Sequence, residues 1–250
     1  MSWGTRKRNF VILIFFVFVF LTVSISAFLF FYEEPTCFDK KQNGIETGID
    51  CGGLCDLLCS TATVDPIVHW VRYFKIADGL YSVIAYVENQ NTDATVKKLP
   101  YIFKLYDDKG VAIAEKNGQV NLNPRQIIPI TQTGLPTGEL DPVRVSFDFT
   151  DKVIWKKEER REPILIIKDE QIIPDKEVQK ITAEVFNSSL EDVQNVTFVV
   201  IVYDKNNNAI ASSSTLIEEI RGSQQANLLF TWPTNFTDQI SRFEIIPIYQ

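Results

Sequence analysis

Three short stretches of this chain recur about 98 residues downstream of themselves. Ala85-Tyr86-Val87-Glu88-Asn89 is echoed by Ala183-Glu184-Val185-Phe186-Asn187, and Phe103-Lys104-Leu105-Tyr106-Asp107 by Val200-Ile201-Val202-Tyr203-Asp204. Ala112-Ile113-Ala114 is likewise echoed by Ala209-Ile210-Ala211. The offsets are 98, 97 and 97 residues, so one loop residue separates two otherwise parallel copies. A unit of that length can hold a core of its own, so two domains are expected rather than a solenoid.

Within each copy the signal is β. Tyr81, Val83, Ala85 and Val87 alternate with Ser82, Ile84, Tyr86 and Glu88, the period of a half-buried strand. Ile102 to Tyr106 reads as a second strand, Asp107-Asp108-Lys109-Gly110 as a turn, and Val111 to Ala114 as the returning strand. Short strands between turns, with almost no helical pattern, predict a β-sandwich for each copy. The mixed-sign run from Lys156 to Glu162 reads as a solvated linker, placing the first sandwich at 63–157 and the second at 158–250.

In the first copy, Phe103, Leu105, Tyr106 and Asp107 carry the pattern Phe-x-Leu-Tyr-Asp, with Val87-Glu88-Asn89 upstream and Asn121-Leu122-Asn123-Pro124 downstream. It resembles the FxLYD domain family on these residues. The second copy keeps Tyr203 and Asp204 but has Val200 and Val202 in place of the Phe and Leu. The resemblance implies immunoglobulin-like sandwiches of exported microbial proteins, and it brings no catalytic set. The residues support a structural motif independently. Phe103 and Leu105 share one face and should enter the core, while Tyr106 points to the other face with its hydroxyl wet. Asp107 begins the turn.

Phe10 to Phe31 is 22 residues without a charge, roughly 33 Å of helix at about 1.5 Å per residue, enough to cross a hydrocarbon core of about 30 Å. Arg6, Lys7 and Arg8 precede it, which predicts residues 1–9 as a cytoplasmic tail and 10–32 as a single-pass anchor in the plasma (cytoplasmic) membrane. The competing reading is a signal peptide cleaved near Val23-Ser24-Ile25-Ser26-Ala27. The apolar run continues through Phe31, longer than an ordinary signal core, so we read an uncleaved anchor. Both readings export the chain beyond residue 32.

All four cysteines fall between Cys37 and Cys59, spaced Cys-x13-Cys-x3-Cys-x3-Cys. In an oxidising compartment two disulfides are expected, and four cysteines leave three pairings of Cys37, Cys51, Cys55 and Cys59 open. A zinc site is disfavoured by export and by the lack of a CxxC pair. Asp39, Asn43, Glu46 and Asp50 surround the turn Asn43-Gly44, and hard oxygen ligands at short intervals around a glycine suit calcium. The bland alternative is an Asx-turn loop whose carboxylates face water. The pattern formed by Cys37, Asp39, Asn43, Gly44, Glu46, Thr47, Asp50, Cys51, Gly52, Gly53 and Cys55 resembles a short cysteine-rich module of surface and secreted proteins. That resemblance implies an extracellular setting and cation binding rather than an activity. Residues 33–62 are assigned to this module.

All 32 acidic residues follow residue 32, against 22 of the 25 basic ones, a net charge of −10. Such a surface argues against nucleic acid as a partner. The lone histidine, His69, lies between Val68 and Trp70 and reads as a half-buried strand residue. Its isolation weakens Ser-His-Asp, Cys-His and His-rich metal mechanisms together, and no phosphate loop, nucleophile elbow or HExxH is present. Glu218-Glu219 is a candidate carboxylate pair, but adjacent strand residues point to opposite faces. Asn187-Ser188-Ser189, Asn195-Val196-Thr197 and Asn235-Phe236-Thr237 match the glycosylation acceptor, and Glu244 to Tyr249 reads as a final strand. The expectation is a non-enzymatic, membrane-anchored extracytoplasmic protein of the cell envelope with a binding, adhesive or scaffolding role and a protein or envelope-polymer partner. No cofactor is required, and calcium is the one candidate. The alternative is a non-catalytic accessory subunit of an envelope export or envelope-modifying complex.

Overall fold

The computed structural model describes residues 3–158, 163–173, 179–233 and 240–249. It divides into two compact units, Met1–Cys55 and Asp56–Gln250.

In the first unit, α1 (Trp3–Phe31) is one continuous helix, and Phe10–Phe31 within it is long and apolar enough to cross a membrane. Phe10–Phe31 is apolar around its whole circumference and exposed along its length, as a helix solvated by lipid would be. The next segment folds as irregular loops, pinned by a Cys37–Cys55 disulfide. Cys51 and Cys59 are also disulfide-bonded, and no cysteine is free. Gly53 has a φ of +62°, and a Cβ there would lie 2.1 Å from the Ile45 carbonyl oxygen, so this position requires glycine.

The second unit is β throughout. Its strands in chain order are β1 (Ile67–Ala77), β2 (Leu80–Asn89), β3 (Ala94–Tyr106), β4 (Ala112–Leu122), β5 (Gln126–Pro136), β6 (Arg144–Phe149) and β7 (Lys156–Lys157). They continue with β8 (Leu165–Ile173), β9 (Lys180–Asn187), β10 (Val193–Tyr203), β11 (Ala209–Ile220), β12 (Gln225–Thr231) and β13 (Arg242–Tyr249). Sheets β1-β2-β5 and β4-β3-β6 face each other in the first sandwich, and β8-β9-β12 and β11-β10-β13 do so in the second. Every strand order in one copy has its counterpart in the other, and all pairings are antiparallel. Left-handed residues recur at matching places too: Lys98 with Asn195, Gly110 with Asn207, and Arg125 with Ser223.

Each sandwich closes on an apolar core. Phe103 and Leu105 are fully buried in the first beside Val83, Ala85 and Phe147, and Phe198, Val200 and Val202 occupy the second with Val185 and Phe230. Two buried asparagines fix the loops. Asn89 and Asn187 are both 0% exposed at the ends of β2 and β9. The Asn89 amide donates to the carbonyls of Ala94 and Asn123, and its oxygen accepts from the backbone N–H of Asn91. Asn187 repeats the arrangement with the Glu191 and Ile220 carbonyls and the Ser189 N–H. Each side chain thereby satisfies loop groups that water cannot reach.

Two sequence expectations change. Lys156–Lys157 is not linker but β7, paired with Ala94 and Thr95, and the Glu158 N–H continues the contact to the Asp93 carbonyl. Residues 159–162 of that run lie outside the described residues. Residues 56–62 run with the first sandwich: the Asp56 carbonyl accepts from Lys157, the Leu58 N–H donates to Trp155, and Leu58 packs on the core.

Replacing Asn187 by Ala should lower unfolding free energy by about 2–4 kcal/mol, because two buried carbonyls and an N–H lose their partner at once. Asn89→Ala should act alike, and denaturant titration checks both; a loss under about half a kcal/mol would contradict the role. In a glycosylating host Asn187 should stay unmodified in folded protein, whereas Asn195 is exposed; peptide mass mapping reads this.

Candidate functional site

The cysteine loop brings only part of its acidic set together. Asn43 Nδ2 donates to Asp39 Oδ2 at 2.7 Å, and the Lys41 N–H donates to Asp39 Oδ1 at 2.8 Å. The bond from Asn43, then that from Lys41, holds the Asp39 carboxyl below its usual range. Asp50 spans the Lys40 N–H with both oxygens, and Glu46 accepts the Asn43 N–H while its other oxygen lies 3.4 Å from Cys55 Sγ. Among the described residues, Glu46 groups with Cys37 and Cys55 rather than with Asp39 and Asp50. Since both sulfurs are in the disulfide, that group offers no thiolate for a metal. Asn43 Oδ1 is buried with no hydrogen-bond partner.

The Phe-x-Leu-Tyr-Asp residues are turn and core parts. Asp107 Oδ1 accepts from the N–H groups of Lys109 and Val111, and Asp204 Oδ1 accepts from Asn206 and Asn208. The Asn208 N–H is the main reason the Asp204 carboxyl sits below its ordinary range. An aspartate so employed organises its own hairpin and is a poor general base. Glu218 and Glu219 are both exposed on β11, Glu219 facing Arg221 at 3.4 Å. His69, expected half-buried, is exposed at a register shift in β1, with Nε2 2.7 Å from Glu88.

The two tyrosines of the motif part company. Tyr106 is half-buried on the outer face of the first sandwich, under the Arg144 guanidinium at 3.9 Å and beside Ser146. Tyr203 also lies under an arginine, Arg242 at 3.7 Å, but it is buried between the sandwiches. Here the outer faces of β2 and β10 meet: Ile84 packs with Val199, Ile201 and Tyr203, flanked by Trp70, Phe74 and Tyr86 from the first copy and Ile246 from the second. Trp70 and Tyr86 stack with ring centres 5.0 Å apart.

At this junction a single carboxylate joins the copies. Glu244 on β13 accepts the Tyr203 hydroxyl at 2.5 Å, and its charge also acts on the hydroxyl of Tyr86 from the first sandwich. Arg242 lies 3.7 Å from the same carboxylate, and its Nε donates to Asn207 Oδ1. Burial, then the negative charge and hydrogen bond of Glu244, pushes Tyr86 up to about 12, and Tyr203 is raised for the same reasons. Sequence reasoning missed Glu244, Tyr86 and this contact. The signal to be found was the run Phe198-Val199-Val200-Ile201-Val202-Tyr203, apolar on both faces where one buried face needs only alternation.

No protein-family model matches the chain, and no curated protein does. Among solved structures it is similar to a transglutaminase of red sea bream at 11% identity, over 72% of this chain and 31% of that one, with a TM-score of 0.22. The chain thus spans under a third of that enzyme, and a likeness of this degree decides neither fold nor activity.

Both tyrosines are raised in the folded state relative to a free phenol near 10, so the fold holds more protons than the unfolded chain above that pH. The junction's contribution should be complete below about pH 10 and lost as pH climbs toward 12 and beyond. Glu244→Gln should bring the Tyr86 titration to lower pH, read by tyrosinate absorbance against Tyr86→Phe. An unchanged titration would contradict the Glu244 contact.

Proposed function

We propose that this is a membrane-anchored, extracytoplasmic binding or structural protein of the cell envelope, without catalytic activity of its own. The apolar helix would hold it in the plasma membrane with the basic N-terminal flank inside. The disulfide loop and both sandwiches would stand on the outer side. The observation that carries this reading is the junction between the sandwiches. A protein that spends large apolar side chains on fusing two immunoglobulin-like copies gains a rigid display surface rather than a reaction centre. The candidate acids support it, since Asp107, Asp204, Asp39 and Asp50 are all occupied by backbone N–H groups. The partner is expected to be an envelope protein or polymer.

The direct test is capture from solubilised envelope with the full chain, after mild cross-linking in intact cells. A reproducible envelope partner supports the reading. Recovery of the chain alone, together with turnover of a substrate lost on Asp204→Asn, would overturn it. Co-purification with an enzyme whose rate the chain raises would favour an accessory subunit instead.

A calcium ion in the cysteine loop forms part of the same proposal, supported by the unpartnered Asn43 Oδ1 beside Asp39. Glu46 and Asp50 would have to leave their backbone donors to join it. In detergent solution, calcium should raise the melting temperature of the full chain by a few degrees, and Asn43→Ala should abolish the rise. Identical melting with calcium and with chelator would remove the idea.

A further inference from the structure

The cysteine loop turns its polar groups inward and its large apolar side chains outward. Phe38 is 90% exposed and Leu54 84%, and Ile45 and Ile49 are exposed with them. The carboxylates do the opposite: Asp39 and Asp50 accept the N–H groups of Lys41 and Lys40, and Glu46 accepts that of Asn43. Water favours the reverse arrangement, and exposed apolar surface of this kind marks a protein or membrane contact.

These side chains are held near one another and near the end of α1. Phe38 and Leu54 each adjoin a half-cystine of the Cys37–Cys55 disulfide, whose Cα atoms are 5.7 Å apart. The Ile45 carbonyl lies against Gly53, next to Leu54. Ile49 sits in the tight turn closed by the bridge between Gly48 and Cys51. Two contacts then fold the loop back toward Phe31, where α1 ends. Lys41 Nζ lies 2.7 Å from Glu33, and a Cβ on Gly44 would lie 3.1 Å from Pro35 Cβ. Phe38 is seven residues past Phe31, so even a fully extended chain would keep it within about 25 Å of the helix end.

Resting on the membrane-anchored reading, we propose that the cysteine loop lies on the outer leaflet of the bilayer that α1 crosses, with Phe38 and Leu54 inserted where headgroups meet acyl chains. Apolar groups docked in this way sink about 5–10 Å into the interface. The bilayer is the apolar surface within reach of a loop tied this closely to a spanning helix. The loop's charge selects among lipids. Residues 33–55 carry the five acids Glu33, Glu34, Asp39, Glu46 and Asp50 against Lys40 and Lys41, a net charge of −3. Anionic headgroups would repel it, so a zwitterionic surface is the match. A second attachment beside α1 stops the loop from pivoting about a single-helix anchor.

The test uses the full chain in phosphatidylcholine nanodiscs whose lipids carry bromines either near the headgroup or deep in the acyl chain. Phe38→Trp and Leu54→Trp should each add blue-shifted emission to that of the unaltered chain, and bromines near the headgroup should remove more than half of it. Leu190→Trp, at an equally exposed apolar position in the second sandwich, should emit in the red and stay unquenched. Phe20→Trp, within α1, should be quenched best by deep bromines, and it reads the anchor alone. Red, unquenched emission from Phe38→Trp and Leu54→Trp overturns the docking, and quenching of Phe20→Trp would then leave the anchor standing. Blue-shifted emission that no bromine reaches means that protein covers the loop, and it overturns the docking too. An unquenched Phe20→Trp removes anchor and docking together. The unaltered chain gives a second check: the Ile45 and Ile49 methyl NMR signals should broaden when a lipid carries a nitroxide near its headgroup, and sharp signals would contradict the proposal.

Discussion

The packing of the outer face of β2 on the outer face of β10 is the contact on which the rest of the two-sandwich architecture depends. Ile84, Val199 and Ile201 are each 1% exposed or less although none belongs to either sandwich core. Full burial of side chains of this size contributes about 1.5–3 kcal/mol each. The Glu244 clasp contributes on a smaller scale, about 1–2 kcal/mol at most, because its carboxylate remains partly exposed. Apolar area therefore supplies the adhesion. The carboxylate adds a polar tie, held by the Tyr203 hydroxyl and acting on Tyr86 across the junction.

This contact turns two domains into four stacked sheets, with the β1-β2-β5 and β11-β10-β13 sheets covered on both faces near their centres. The strands at the middle of those sheets differ accordingly. β2 and β10 carry apolar residues on both faces, whereas the outward face of β3 carries Lys104 and Tyr106. The duplication is thus complete in topology but not in surface. The equivalent of the face that Val199, Ile201 and Tyr203 bury remains wet in the first copy, where Tyr106 and Arg144 cover it.

Much of this was legible in the sequence. The offsets near 98 pointed to the two copies, and the structure extends them to six matching strands, to the Asp107 and Asp204 turns, and to three left-handed backbone positions. Asn89 and Asn187 lay inside a recognised echo, yet their burial was not readable, because a polar residue at a strand end usually faces water. The junction was harder still. Alternation along Tyr81 to Glu88 predicted one wet face, and only a partner surface contributed from more than 110 residues away makes Ile84 a buried residue. The cysteine loop was less legible. Its acidic spacing suggested a converged ligand set, but positive-φ turns at Lys40 and Asp50 direct the carboxylates to backbone N–H groups.

The most direct test is the distance between the copies. Spin labels at Lys109 and Lys205, on the exposed tips of the β3–β4 and β10–β11 turns, report the relative placement of the two sandwiches by double electron–electron resonance. A single narrow distance distribution is predicted, broadening when Ile201→Glu places a charge in the apolar contact. A broad distribution in the otherwise unaltered protein would contradict the account.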